Sequence, residues 1–258
     1  MEFREISRAG DDLIIREAGG GPTVWYIHDE VSAEPGAVAA DLAARFHVLA
    51  PVIPGFAGAG RPDWVETTQD VADLYLEPVR RHQQSNEDLV LIGSSMGAWV
   101  AVEVALALFD LEPRLALAGP LGLYLPGHPP ADHWFMTDED RDVTLYHDPS
   151  RKPSVPAEEF IANESMAARM GWNPRFASPR LAPRLNRLRF PAMVVWGAND
   201  RLLPAAHREQ WARLLPQSAT VVLDGCGHYP AYERPHEMAA ALTEFVEQHT
   251  RTAEGVSS

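Results

Sequence analysis

The chain has 258 residues, 46% of them hydrophobic, so it can bury a sizeable core as one large α/β domain with room for an inserted segment. Its 36 acidic side chains against 22 basic ones give a formal charge of −14, which repels phosphate backbones and anionic membranes and argues against both as partners. Cys226 is the single cysteine, no apolar run reaches membrane-spanning length, and the charged start lacks the apolar core of a signal peptide; a soluble cytoplasmic protein without intrachain disulfides is the expectation.

In chain order, residues 2–7 and 12–17 read as two short strands around a turn at 9–11. Gly19-Gly20-Gly21-Pro22 is a turn. The apolar, β-branched and aromatic run at 23–28 suits a buried parallel strand. Residues 35–46 have helical spacing, with Val38, Leu42 and Phe46 on one face, and 47–53 read as the next strand. The glycine-rich stretch 54–62 is not a phosphate loop, because no Gly-Lys-Ser/Thr follows. An amphipathic helix is expected over 68–82, with Val71, Leu74, Tyr75 and Val79 inward. A strand-type run then enters Gly93-Ser94-Ser95-Met96-Gly97, and a helix-type run continues to about Phe109, followed by a strand at 114–118. The alternation indicates an α/β fold: a mostly parallel, doubly wound sheet covered on both faces.

That rhythm breaks at Gly119-Pro120. As far as Arg187 the chain is rich in Pro, His, Trp and charge and has no strand-like runs, with helices expected over 158–170 and 179–188. Because it follows the strand next to Ser95, the segment reads as a cap over a site. A strand at 191–196, a helix at 205–215, a short strand at 220–223 and a closing helix at 235–249 complete the core. The expected organisation is a core of residues 1–118 and 188–249, a cap at 119–187, and a small, polar, disordered tail at 250–258.

Gly-x-Ser-x-Gly between a strand and a helix is the context of a nucleophile elbow, where Gly93 and Gly97 remove the Cβ atoms that so sharp a turn cannot hold. Ser95 would then sit exposed at the strand end, beside the positive end of a helix. A serine hydroxyl is a poor nucleophile at neutral pH and needs an adjacent base. Two later loops offer one. Asp200 and His228 each follow a strand, which puts both at the carboxyl edge of the sheet, where open α/β sheets bind ligands. His228 would take the Ser95 proton and Asp200 would fix the imidazole tautomer. Each has a plainer reading: a buried turn serine, an aspartate capping a helix or turn, a satisfied loop histidine.

With Pro-Gly-Phe-x-Gly-x-Gly at 54–60, the elbow, Trp-Gly-x-x-Asp at 196–200 and Gly-His-x-x-x-x-Glu-x-Pro at 227–235, the chain resembles the α/β-hydrolase superfamily over essentially its whole length. Ser95, Asp200, His228 is the triad order of that superfamily. The resemblance implies the Met96 N–H as one oxyanion donor. The second normally follows a His-Gly dipeptide, but here the residues are His28-Asp29-Glu30, so Glu30 would supply it by position. Asp29 replaces the glycine and tolerates unusual backbone angles. A carboxylate beside an oxyanion opposes its charge, so the Asp29 and Glu30 side chains are expected to point away or to pair with a cation such as Arg61. His28 reads as a structural hydrogen-bonding residue and Cys226 as small packing. Trp134, Phe135 and Trp172, with Met96, either line an apolar pocket or form the cap's own core. His128, Asp132 and His133 supply no regular ligand set, and neither metal nor cofactor is expected.

The expected function is a serine hydrolase cleaving a small to medium carboxylic ester through an acyl-enzyme, with that small molecule as its partner. Serine at the nucleophile position separates the chain from haloalkane dehalogenases and epoxide hydrolases, which are similar but carry aspartate there. Carbon–carbon bond hydrolases often show Gly-Asn-Ser where this chain has Ser94; they, thioesterases, lactonases and acyltransferases stay open, since fold and triad do not set the substrate. A non-catalytic small-ligand-binding protein with a retained hydrolase fold, resting on the altered His28-Asp29-Glu30 loop, is the alternative of another class. Oligomeric state is not legible in the residues.

Overall fold

The computed structural model describes residues 2–6, 13–83 and 88–250. The expected turn at 9–11 and the tail from 251 lie outside these residues; Thr250 still donates its N–H to the Val246 carbonyl at 2.9 Å.

The core begins with β1 (Arg4–Glu5), β2 (Ile15–Ala18), β3 (Thr23–Ile27), α1 (Gly36–Leu42) and β4 (His47–Pro51). It continues through α2 (Thr68–His82), β5 (Val90–Ser94), α3 (Met96–Ala107) and β6 (Arg114–Ala118). After an insertion, β9 (Ala192–Gly197), α6 (Ala205–Leu214), β10 (Ser218–Leu223), α7 (Pro230–Glu233) and α8 (Pro235–His249) close it; the insertion holds β7 (Gly122–Leu123), α4 (Asp138–Leu145), α5 (Ala157–Gly171) and β8 (Ala177–Ser178). Among the described residues, eight strands form one sheet in the order β1-β2-β4-β3-β5-β6-β9-β10. It is parallel from β4 to β10 and antiparallel at β1 and β2, an α/β fold of the expected kind.

Alternate residues of the apolar strands supply two cores. From β3, Trp25 and Ile27 pack toward α2 and α3, whereas Val24 and Tyr26 pack toward α1 and α8. Only a strand covered on both faces needs so continuous an apolar run. Apart from Glu103, which pairs with Arg184, helix α3 is apolar on every side, and it is buried at every residue except Ala107. Helix α2 starts with a capping box: Asp70 N–H donates to Thr67 Oγ1 at 3.1 Å, and Thr67 N–H to Asp70 Oδ2 at 2.8 Å.

Residues 119–187 depart from expectation in three ways. The two-residue strands β7 and β8 pair in parallel, too short to leave a period-2 pattern in the sequence. Helix α4 forms where none was expected. Its Asp-Glu-Asp-Arg-Asp start has no apolar periodicity, but Thr137 caps it and three acidic residues fill its first turn, where the helix dipole favours them. The helix expected over 179–188 is instead a 3₁₀ stretch at Ala182–Arg187, with Pro183 in its first turn.

The insertion is tied to the carboxyl edge of the sheet by polar contacts. Asn163 of α5, buried, accepts from Ala57 N–H at 2.8 Å and donates through Nδ2 to the Val31 carbonyl at 2.9 Å. Glu233 of α7, also buried, accepts from Asp148 N–H at 2.8 Å and from Gly227 N–H at 2.6 Å. No helix among the described residues is long and apolar enough to cross a membrane.

Helix α3 touches the end of β3 so closely that a Cβ on Gly97 would lie 2.1 Å from the His28 carbonyl oxygen, with backbone rather than a movable side chain in the way. Gly97→Ala is therefore expected to cost at least about 3 kcal/mol or to abolish soluble expression, as read by urea denaturation of any folded product.

Candidate active site

Four loops meet at the carboxyl ends of β3, β5, β9 and β10. Ser95 sits between β5 and α3 at φ +50°, a left-handed backbone for a residue with a Cβ. A Cβ on Gly93 would come within 2.4 Å of the Gly97 carbonyl oxygen, so the turn tolerates only glycine on either side. Ser95 N–H donates to the Ala118 carbonyl at 2.8 Å, which fixes the turn against β6.

The structure brings Ser95, His228 and Asp200 together. Ser95 Oγ lies 2.9 Å from His228 Nε2, and His228 Nδ1 lies 2.9 Å from Asp200 Oδ2. Asp200 is held in turn by Leu202 N–H at 2.9 Å and Leu203 N–H at 3.0 Å, both on Oδ1. His228 is held through its backbone N–H, which donates to the Leu145 carbonyl at 2.8 Å. These bonds align the imidazole from both sides.

Glu30 departs from expectation. Its side chain does not point away; it enters the site. Ser95 Oγ–H donates to Glu30 Oε1 at 2.9 Å, Tyr229 O–H donates to the same oxygen at 2.8 Å, and Met96 N–H donates to Oε2 at 3.2 Å. The carboxylate thus fills the place assigned to an oxyanion. Arg61 offers it no partner, because that guanidinium bonds the carbonyls of Pro62, Asp63 and Val65. With the serine proton turned to Glu30, Ser95 accepts from Nε2–H while Nδ1–H faces Asp200. Both ring nitrogens donate only in the imidazolium. Burial pushes the His228 pKa down, but the charge and hydrogen bond of Asp200, with the charges of Glu30 and Asp29, outweigh it and hold the ring above the ordinary histidine value.

Asp29 does not use an unusual backbone angle; it is not among the residues with positive φ. Its side chain folds the loop instead. Oδ1 accepts from Tyr232 O–H at 2.8 Å, Val31 N–H at 2.9 Å and Ser32 N–H at 3.4 Å. Burial first, then the neighbouring Glu30, pushes its carboxyl up to about 7, against those hydrogen bonds. His28 accepts from Ile53 N–H at 2.8 Å through Nε2 and donates from Nδ1 to the Asp29 carbonyl at 2.5 Å; burial lowers its pKa to about 4, so the ring is a neutral fixture beneath the loop. Cys226 is buried, and burial raises its thiol to about 12.

A cleft of about 530 Å³ opens on the far side of Glu30, walled by Tyr229, Tyr146, Leu145, His133 and Phe160. Arg141, bonded to Asp138, and Lys152, bonded to Asp142, stand at its edge together with Glu164. None of Trp134, Phe135 and Trp172 lines it. Those three rings gather instead around the Arg175 guanidinium, which lies 4.5 Å from the Trp134 and Trp172 rings and 5.8 Å from Phe135. The Arg175 side chain at their centre is itself largely buried. Asp132 pairs with Arg175 at 2.8 Å and His133 stacks on Phe176, so the cluster with His128 is dispersed; no three metal-ligating side chains converge among the described residues.

Three positioning residues escaped the sequence reading. Tyr229 and Glu233 lie inside the histidine-loop motif, whose pattern marks their positions but not their partners. Asn163 left a better signal: an amide among Met166, Ala167 and Met170 on the apolar side of a helix needs a polar reason to be there.

A family profile described as "Alpha/beta hydrolase family" matches residues 18–241. The chain belongs to the alpha/beta hydrolase family. Among curated alpha/beta hydrolase relatives, it is 23% identical to a 2-hydroxy-6-oxo-6-(2'-aminophenyl)hexa-2,4-dienoic acid hydrolase of Metapseudomonas resinovorans, covering 94% of this chain and 90% of that one. It is 24% identical to a pimeloyl-[acyl-carrier protein] methyl ester esterase of Aromatoleum aromaticum, covering 91% and 98%. The solved structure of a meta-cleavage product hydrolase (CumD) superposes with a TM-score of 0.76 at 20% identity, over 95% of this chain and 98% of that one, and shares the fold.

Asp29 gives a stability test. Its folded pKa of about 7 lies above its unfolded value, so the folded state binds the extra proton between the two, and stability falls as pH rises through that window. Asp29→Asn cannot ionise. Urea denaturation is expected to find it more stable than the parent at pH 8, by up to about 4 kcal/mol, with the gap closing toward pH 4.

Proposed function

We propose that this alpha/beta hydrolase is a serine hydrolase that cleaves small to medium carboxylic esters through an acyl-enzyme. The observation that carries the reading is the buried hydrogen-bonded line from Asp200 through His228 to Ser95. In the proposed cycle Ser95 Oγ attacks the acyl carbon and its proton passes to His228 Nε2. Asp200 holds the ring in the required tautomer and stabilises the imidazolium. The Met96 N–H, at the start of α3, receives the developing oxyanion. His228 returns the proton to the departing alkoxy oxygen, and water repeats the sequence to release the acid. No cofactor enters this chemistry.

Residues 119–187 act as a cap in this reading, because Tyr146, Leu145, His133 and Phe160 from that segment wall the cleft beside Glu30. A cleft of about 530 Å³ with aromatic walls and a few polar groups suits a small-molecule ester. The relatives include a dienoic acid hydrolase and a methyl ester esterase that acts on a carrier-bound acyl group, which supports a hydrolase reading. Binding of a small ligand without turnover is the rival reading, favoured by Glu30 lying on the Met96 N–H.

A chain-length series of p-nitrophenyl esters, run beside a fluorophosphonate label, tests the proposal. Turnover and labelling are both expected, and both should vanish in Ser95→Ala; Asp200→Asn should lower kcat by about 10⁴. Ligand binding with neither turnover nor labelling would favour the rival. The pH profile is a separate check. His228 must be neutral to act as base and its pKa is raised, so kcat/KM should climb with pH along a limb centred above about 6.5. Glu30→Gln removes one of the raising charges and should move that limb to lower pH.

A further inference from the structure

The Glu30 carboxylate is held by hydrogen bonds, with no Lys or Arg paired to it among the described residues and the His228 ring one hydroxyl away, beyond Ser95 Oγ. Its two oxygens sort into distinct sites. Oε2 takes the backbone N–H that follows the nucleophile, and Oε1 takes the nucleophile's own hydroxyl together with Tyr229 O–H. A carboxylate so placed has the shape of the acid that an ester hydrolase releases: one oxygen at the oxyanion position, the other beside Ser95. Tyr229 is buried, follows His228 directly, and spends its hydroxyl on this one acceptor. Burial and then the charge of Glu30 hold the phenol well above its ordinary pKa, so it remains a donor across the working pH range.

We propose that Glu30 occupies the acyl site as an internal product mimic, and that Tyr229 is a further catalytic residue whose hydroxyl bonds the substrate oxygen that replaces Glu30 Oε1. The proposal rests on the serine-hydrolase reading and refines it. An entering ester displaces the Glu30 side chain into the cleft it already lines, where Arg141 and Lys152 stand. The carbonyl oxygen takes the Met96 N–H, and the alkoxy oxygen takes the Tyr229 hydroxyl. Ser95 Oγ bonds to the acyl carbon as its proton goes to His228 Nε2. The carbon–alkoxy bond then breaks, His228 gives its proton to the alkoxy oxygen, and the alcohol leaves. Tyr229 keeps its proton throughout and offsets the charge that gathers on the departing oxygen. Its place is therefore at the leaving-group oxygen, distinct from the oxyanion position that the Met96 N–H serves.

Glu30→Ala tests the first half. A site-open state populated at about 10% or less in the parent predicts labelling of Ser95 by a fluorophosphonate at least about tenfold faster in the variant. Acetate should bind Glu30→Ala at millimolar concentration, seen as broadening of its methyl proton resonance and as competitive inhibition, and should leave the parent untouched. Glu30→Gln, which keeps the packing volume, guards against a folding artefact and should label faster by a smaller factor. Tyr229→Phe in the Glu30→Ala background tests the second half. It should lower kcat about 10- to 100-fold with KM nearly unchanged, and weaken acetate binding. Parent-like labelling and no acetate binding in a folded Glu30→Ala would overturn the mimic; a Tyr229→Phe effect confined to KM or thermal stability would overturn the catalytic role. The two readings fail separately. Acetate binding that depends on Tyr229, without ester turnover in any variant, keeps the acyl-site assignment and sinks the hydrolase; Ser95-dependent turnover with labelling and acetate indifferent to Glu30 does the reverse.

Discussion

The whole arrangement depends on how closely α3 begins against the end of β3. Gly97 has no side chain, so the helix can start with its backbone in contact with the Ile27 and His28 carbonyls. That contact does two things at once. It bends the chain sharply enough to hold Ser95 in a left-handed conformation, and it brings the His28-Asp29-Glu30 loop within reach of the serine. Neither the nucleophile nor the carboxylate beside it could be placed if the helix stood off by the thickness of a methyl group.

The price of that closeness is electrostatic. The side chains of Asp29, Glu30 and Asp200 are all buried around one histidine. The protein handles each differently. Asp200 is paired with the imidazole and locked by two backbone N–H groups. Asp29 stays protonated up to about pH 7 and takes three donors on one oxygen. Glu30 borrows the donors of the reaction site itself. Three acids in one pocket are tolerable because each meets a different device, and the last of these ties the resting charge balance to the chemistry.

The main features of the fold and of the hydrogen-bonded line were legible in the sequence because both are written in constraints that few residues satisfy. Apolar runs with β-branched residues mark the buried strands, and the glycines of the elbow mark a turn that excludes side chains. The direction of the Glu30 side chain was not legible. Pattern fixes where a loop residue stands, whereas its torsions are chosen by donors from Met96, Ser95 and Tyr229, the last nearly two hundred residues away in the chain. Helix α4 was hidden for a related reason: its stability comes from a cap and the helix dipole rather than from an apolar face. Trp134, Phe135 and Trp172 were open to two readings, pocket wall or the cap's own core, because aromatic rings serve both. Arg175, close to Trp172 in sequence but not to Trp134 or Phe135, gives all three rings a cation to enclose.

Asn163 has an implication for how such a chain can change over evolutionary time. One amide on α5 closes hydrogen bonds from two separate core loops, at Val31 and at Ala57. The insertion is therefore not an interchangeable attachment. A chimera that swapped it for a segment of different length would leave the partly buried Val31 carbonyl and Ala57 N–H without this partner, at about 1 kcal/mol each. Exchange by recombination is disfavoured unless the incoming segment carries an equivalent amide, so the insertion and the two loops are expected to diversify together, as a single heritable unit.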